Sequence, residues 1–167
     1  MTSLRKLTSH LALSAACLLG IAAPNHAQTT PIGAGAGAFV AANQATHVFV
    51  FSIVERADGT VRGRVLVLEP ATHGFVSVEL SSYMYVGTTL AAAGTITAAL
   101  NAPPQYPVGG TAFFAVNDNT GAPDGFAGLG AVPPQFGSLT VQQIINLIGP
   151  PPPQAFAPLL AGNVWIF

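Results

Sequence analysis

The residues best suited to chemistry lie on two neighbouring strand patterns in the first half of the chain. Alternation along the first pattern places Arg62 and Arg64 on one face. Alternation along the next places Glu79, Tyr83 and Tyr85 on its polar face. If the two strands pair as a hairpin, these side chains share one surface, which predicts a candidate ligand-binding site in a small pocket or barrel mouth. A solvent-facing ladder of cross-strand salt bridges is the simpler interpretation of the same residues.

A loop rich in oxygen ligands is the second candidate. Asp118, Asn119 and Asp124 lie close together beside Asn117, and carboxylate and amide oxygens are ligands that Ca²⁺ accepts. Asp118, Asn119 and Asp124 are therefore candidate metal ligands. Their spacing does not match a calcium-binding loop, and the intervening Gly121-Ala122-Pro123 is typical of an ordinary turn, so turn capping is the alternative role.

The sequence predicts no catalytic residue and no cofactor. Beyond residue 27 it holds two histidines, His47 at a strand start and His73 in a turn, where histidine is usually only solvated. A histidine-rich metal site is therefore excluded, and no Ser-His-Asp order can be defended. Gly33-x-Gly35-x-Gly37 follows no strand pattern and opens no helix pattern, so it is not a phosphate-binding loop.

Residues 1–27 are typical of a bacterial export signal. Arg5-Lys6 supplies the charged start, Leu11–Ala23 an apolar stretch without ionisable groups, and Ala27 a small residue at the exit. The apolar stretch is shorter than the roughly 20 residues that a membrane anchor needs. Cys17 resembles a lipoprotein cysteine only loosely, because apolar residues continue after it. The sequence thus predicts an exported protein, periplasmic or extracellular, with lipidation at Cys17 as the alternative.

Removal of that leader changes the chemistry of the working chain. It takes away the only cysteine and the only lysine, which excludes disulfides and thiolate metal sites. The remaining chain contains three arginines and six carboxylates, which gives a net charge of about −3 with neutral histidines. Nucleic acid is excluded as a partner, because phosphate binding needs clustered cations.

The remaining sequence predicts an all-β fold. Apolar and β-branched runs broken by turn residues indicate short strands, and Ser138–Ile148 has helical spacing with a Thr140–Gln143 capping box. We expect one small antiparallel barrel or sandwich of about seven strands over residues 46–167, with one short helix near the C-terminus. Residues 28–45, rich in glycine and alanine, are expected to form a flexible arm. The predicted strands are 46–56, 61–69, 75–86, 89–100, 111–116, 126–131 and 163–167.

Three turn motifs carry a resemblance to a known family. They are Arg56-Ala57-Asp58-Gly59-Thr60-Val61-Arg62-Gly63, then Val116-Asn117-Asp118-Asn119 with Gly121 and Pro123, and finally Gly162-Asn163-Val164. In this order they resemble the exported bacterial β domains of the post-COAP type, over about residues 33–167. Thr120 and Ala122 depart from the shorter turn of that family, and the helix looks inserted before the last strand. The resemblance implies an exported β domain and transfers no catalytic residue.

The leading functional hypothesis is a non-enzymatic extracytoplasmic binding or structural module. The low charge density leaves apolar surface for an apolar ligand or a partner in the cell envelope. One alternative is a small-barrel enzyme or carrier for an apolar ligand, with the arginine, glutamate and tyrosine side chains as its working groups. A small outer-membrane β-barrel is another, because such chains commonly end on aromatic residues like Trp165 and Phe167.

Overall fold

The computed structural model describes residues 29–119 and 121–167, and the predicted signal peptide lies outside them. The described residues form one α-helix, α1 (Val141–Ile148), and two short 3₁₀ turns, Pro134–Phe136 and Pro153–Ala155, and all three lie between the seventh and eighth strands. None of the helices in the described part of the chain has the length and apolarity needed to span a membrane. The strands are β1 (Thr29–Val40), β2 (Thr46–Arg56), β3 (Val61–Glu69), β4 (Gly74–Val86), β5 (Thr89–Leu100), β6 (Thr111–Asn117), β7 (Gly125–Ala131), β8 (Ala157–Pro158) and β9 (Ala161–Ile166).

The nine strands of residues 29–119 and 121–167 belong to one antiparallel sheet that curls into a half-barrel. Strands β1 to β8 follow one another as a meander, and β9 pairs with β1, so β8 and β9 are the two edges. Only Leu159 and Leu160 connect these edges, which brings Pro158 and Ala161 within about 11 Å of each other. The prediction of an antiparallel all-β fold with one short helix near the C-terminus is confirmed, and the two strands beyond the expected seven are β1 and β8.

The glycine-rich segment is a strand between β2 and β9, so the prediction of a flexible arm is wrong for Thr29–Val40. Its glycines face the core at points where no side chain fits. A Cβ on Gly35 would lie 2.8 Å from Cε1 of Phe51 and 2.9 Å from the carbonyl oxygen of Asn163. A Cβ on Gly37 would lie 2.7 Å from the carbonyl oxygen of Ala161. The phenylalanine rings of β2 therefore pack directly on the backbone of β1.

An aromatic cluster fills the concave side of the sheet. Phe126 of β7 stacks on Phe39 of β1 at 4.8 Å and on Phe49 of β2 at 4.4 Å between ring centroids. Phe114 of β6 packs edge-on against Phe51 of β2 at 5.3 Å. These strands are not neighbours in the hydrogen-bonded order, so the rings hold the two ends of the curled sheet together.

Helix α1 covers part of the convex side. The predicted capping box is present: the backbone N–H of Gln143 donates to Oγ1 of Thr140, and Gln143 Oε1 accepts from the Thr140 N–H at 2.9 Å. Val141 and Ile144 are buried against alanines of β5 and β6, and the Val141 N–H donates to Ser82 Oγ of β4 at 3.0 Å. The helix is thereby anchored to the sheet by its first turn.

Candidate functional site

The structure brings together only part of the predicted ligand-binding face. Arg62 and Glu79 form an ion pair at 3.4 Å on the convex side, with about half of each side chain exposed (52% and 53%). Arg64 lies directly opposite Glu79 in the β3–β4 register and is also exposed. This arrangement matches the solvent-facing ladder, and an exposed pair of this kind contributes little to stability.

Tyr83 and Tyr85 lie on the opposite, concave side because β4 contains a bulge. Leu80 pairs with Gly94 while Ser82 pairs with Ala93, so Ser81 is an extra residue and the alternation of faces reverses after it. The prediction that Glu79 and the tyrosines share one face is therefore wrong. The isolated Gly94 in the middle of β5 is the sequence signal for such a bulge.

Beyond the bulge, the two tyrosine hydroxyls form hydrogen bonds near one end of the half-barrel. The Tyr83 hydroxyl donates to Glu55 Oε2 at 2.5 Å, and this hydrogen bond, with burial, raises the pKa of Tyr83 to about 12. The Tyr85 hydroxyl lies 3.2 Å from the carbonyl oxygen of Ile32 and 3.1 Å from that of Phe167. Burial raises the pKa of Tyr85 as well. Both phenols thus act as neutral hydrogen-bond donors, Tyr83 to a carboxylate and Tyr85 to backbone carbonyls.

The raised pKa of Tyr83 predicts a specific alkaline titration. The folded state favours the neutral phenol, so this contribution to stability is complete below the ordinary tyrosine pKa of 10.0 and is lost as pH rises towards 12. Phenolate absorbance in the folded protein should therefore show a late component that Tyr83→Phe removes. Glu55→Gln should move that component to lower pH, whereas Glu79→Gln should leave it unchanged. An unchanged titration in Glu55→Gln would contradict the assignment.

Two of the three predicted metal ligands, Asn119 and Asp124, form hydrogen bonds with backbone groups. Asp124 Oδ1 accepts from the N–H of Asn119 at 3.0 Å, and Asp124 Oδ2 accepts from the N–H of Val164 in β9 at 2.7 Å. The Asn119 amide donates to the Pro123 carbonyl at 2.9 Å. Among the described residues, no group of three His, Cys, Asp or Glu side chains could hold a metal ion. The geometry gives Asp124 and Asn119 the turn role that was the alternative, and Asp118 lies in the same turn.

Asp124 also connects the two ends of the sheet, because it precedes β7 and binds β9. Asp124→Asn replaces one acceptor by an NH₂ group facing a backbone N–H, which should lower the free energy of unfolding by about 1–3 kcal/mol. Urea denaturation measures the change. Asp118→Asn, a substitution in the same turn, should leave stability within about 0.5 kcal/mol. Equal effects of the two substitutions would contradict the role of Asp124.

A cleft of about 390 Å³ lies at the other end of the half-barrel. The β1–β2 turn, the ends of β3 and β4, the β5–β6 loop and β7 surround it. The side chains that shape its walls are mostly apolar or aromatic, with a few polar groups between them. They include Phe39, His47, Val67, Glu69, Phe75, Ala102, Tyr106 and Leu129.

The polar groups of this cleft have distinct positions. His47 packs against Phe39 at 5.5 Å between ring centroids, and its Nε2 atom is buried without a hydrogen-bond partner among the described residues. The Tyr106 hydroxyl donates to the Leu129 carbonyl. Glu69, the last residue of β3, also lines the cleft, and it follows Leu68, whose partner in the β2–β3 register is Val48 beside His47. The expectation that His47 is merely solvated is wrong, since its alternation with Phe49 and Phe51 puts it on the concave face.

Comparisons of the chain with models of protein families, with curated proteins and with solved structures find no match. The resemblance to exported β domains of the post-COAP type therefore stays a prediction from turn motifs. One of those motifs has a plain structural basis: Asp58 Oδ1 accepts from the Thr60 N–H at 2.8 Å, and Gly59 adopts a φ of +78° in the β2–β3 hairpin.

Proposed function

We propose that this protein is an exported, non-enzymatic binding module that holds a small, mostly apolar ligand in the cleft beside His47. The observation that carries the proposal is the cleft itself, an apolar concavity of about 390 Å³ at the mouth of a half-barrel. Its volume falls in the range of small-molecule sites, and barrel mouths are among their usual places.

The lining indicates the kind of ligand. Apolar walls favour a hydrocarbon or aromatic body, because its transfer from water stabilises the complex. A buried ring nitrogen without a partner costs about 1–3 kcal/mol, and a ligand group that hydrogen-bonds to His47 recovers that cost. A ligand with one small polar group on an apolar body therefore suits this cleft.

Binding is favoured over catalysis by the composition of the lining. Nucleophilic catalysis needs a hydroxyl or thiol beside a base. The described residues that form the walls include no Ser, Thr or Cys, and the one phenol among them, Tyr106, donates its hydroxyl hydrogen to the Leu129 carbonyl. Although Glu69 lines the same cleft, the buried His47 Nε2 has no hydrogen-bond partner among the described residues, so that nitrogen is not paired with a carboxylate. The cleft thus supplies contacts that can hold a ligand without groups arranged to transform it.

Export rests on the charged start, the apolar stretch and the small-residue exit of residues 1–27. Expression in a bacterium, followed by cell fractionation and mass spectrometry of the N-terminus, tests this half of the proposal. We expect a chain that begins at Gln28 in the periplasmic or culture fraction. A chain that keeps Met1 and stays in the cytoplasm would overturn it.

Filling the cleft should abolish ligand binding. N-phenyl-1-naphthylamine, an uncharged aromatic amine whose fluorescence rises in apolar surroundings, serves as the probe. We expect saturable binding to the native chain, and a loss of about tenfold or more in affinity for Ala102→Trp, because the indole occupies the space next to Tyr106. Ala57→Trp places the same side chain in the exposed β2–β3 turn at the opposite end and should bind the probe normally.

A folding control accompanies this measurement. Thermal unfolding followed by circular dichroism should show that both tryptophan variants unfold cooperatively, so lost binding in Ala102→Trp is not lost folding. Equal probe affinity in the two variants would place the probe elsewhere and contradict the proposed cleft.

A further inference from the structure

Trp165, the only tryptophan of the chain, lies on the convex side of β9 with 52% of its surface exposed. Its neighbour Val164 is buried in the core, so alternation places Asn163 and Trp165 on the same outer face. In the β1–β9 register, Asn163 pairs with Ala36 and Trp165 pairs with Ala34. Because alanine side chains are small, the neighbouring strand has no large side chain at the positions opposite the indole. A large aromatic ring is thus presented to solvent on a paired strand.

A polar cleft of about 280 Å³ adjoins this ring, at the end of the strands opposite the His47 cleft. The β6–β7 turn forms one wall with Asp118, Asn119 and Asp124, and β9 forms the other with Asn163 and Trp165. The polar atoms of Asp124 and Asn119 are occupied within the fold.

Two other polar side chains also line this cleft. Asp118 and Asn163 make no side-chain hydrogen bond within the described part of the chain, although both line the cleft. A carboxylate accepts hydrogen bonds, and an amide both donates and accepts them. The site therefore combines one exposed aromatic face with acceptors and a donor beside it.

A neutral pyranose sugar has the matching chemistry. One face of its ring carries C–H groups that pack on the negative face of an indole, while its hydroxyls both donate and accept hydrogen bonds. Anionic ligands are disfavoured by the carboxylates of Asp118 and Asp124 and by the absence of any Lys or Arg in the lining among the described residues. We infer that the cleft between the β6–β7 turn and β9 is a binding site for neutral hexose units, with Trp165 as its platform. The inference is independent of the ligand proposed for the His47 cleft.

The single tryptophan makes the test direct, because a sugar on Trp165 changes the only indole fluorescence of the protein. Maltotriose and triacetylchitotriose, two neutral trisaccharides, are the probes. We expect at least one of them to change the fluorescence saturably at millimolar concentration, with matching heat in calorimetric titration. The absence of a saturable signal from both probes would overturn the inference.

Variants locate the binding. Trp165→Ala should remove the calorimetric signal, and Asn163→Ala should weaken binding by about fivefold or more, as the loss of one hydrogen-bonding group implies. Phe136→Ala, which truncates another half-exposed aromatic residue outside this cleft, should bind like the native chain. Unchanged sugar affinity in Trp165→Ala, with native circular dichroism, would also overturn the inference, whereas probe binding at the His47 cleft should survive in that variant.

Discussion

Gly35→Val should lower the free energy of unfolding by about 3 kcal/mol or more, because overpacking of a filled core costs about 1–3 kcal/mol even for small additions. A single Cβ on Gly35 already lies 2.8 Å from Cε1 of Phe51 and 2.9 Å from the carbonyl oxygen of Asn163. The isopropyl group of valine cannot fit unless β1 moves away from β2 or β9. Urea denaturation followed by circular dichroism measures the loss, which is a large part of the stability of a small domain.

The matched control is Ala36→Val, at the next residue of the same strand. Ala36 faces the convex side, where the additional methyl groups project outward, so stability should stay within about 0.5 kcal/mol. Equal stability of Gly35→Val and Ala36→Val would show that these glycines do not face the core, and would restore the prediction of a flexible arm.

The glycine strand also shows why part of the fold was not predictable from local sequence. Glycine has low strand propensity and no side chain to pack, so a Gly-Ala segment has the composition of a flexible chain. What makes Thr29–Val40 a strand lies elsewhere in the sequence: the rings of Phe49 and Phe51 need a partner strand without side chains opposite them. By contrast, the bounds of β2 and β3 were predicted correctly, because the β-branched runs and the Asp58-Gly59 turn are local signals.

The candidate sites depended on features of two kinds. The Arg62–Glu79 pair follows from strand alternation and hairpin pairing, so the sequence predicted it. The position of Tyr83 depends on a one-residue bulge, and one extra residue reverses every side chain beyond it. The His47 cleft is built from five separate segments, and only the curl of the sheet brings β1 and β7 to the same cavity. A sequence pattern within one segment therefore cannot predict that these five segments line the same cleft.

Removal of the Phe126 ring should have the second large effect. Phe126 is completely buried and stacks on Phe39, Phe49 and Phe114 at centroid distances of 4.8, 4.4 and 5.7 Å. Replacing a buried phenylalanine by alanine costs about 3–5 kcal/mol through lost burial and the cavity that remains. We therefore expect Phe126→Ala to shift the urea midpoint strongly, whereas Phe136→Ala, at a half-exposed position, should shift it little.

The reason for this sensitivity is the position of Phe126 between the two ends of the sheet. Its ring joins β7 to β1 and β2, strands that share no hydrogen bonds with β7, and the same stack supports Phe39 in the wall of the His47 cleft. Phe126→Leu retains much of the apolar volume but not the stacking, so it should recover more than half of the lost stability. It should still bind N-phenyl-1-naphthylamine more weakly than the native chain. Native probe affinity in a stable Phe126→Leu variant would contradict the claim that the aromatic stack supports the wall of the cleft.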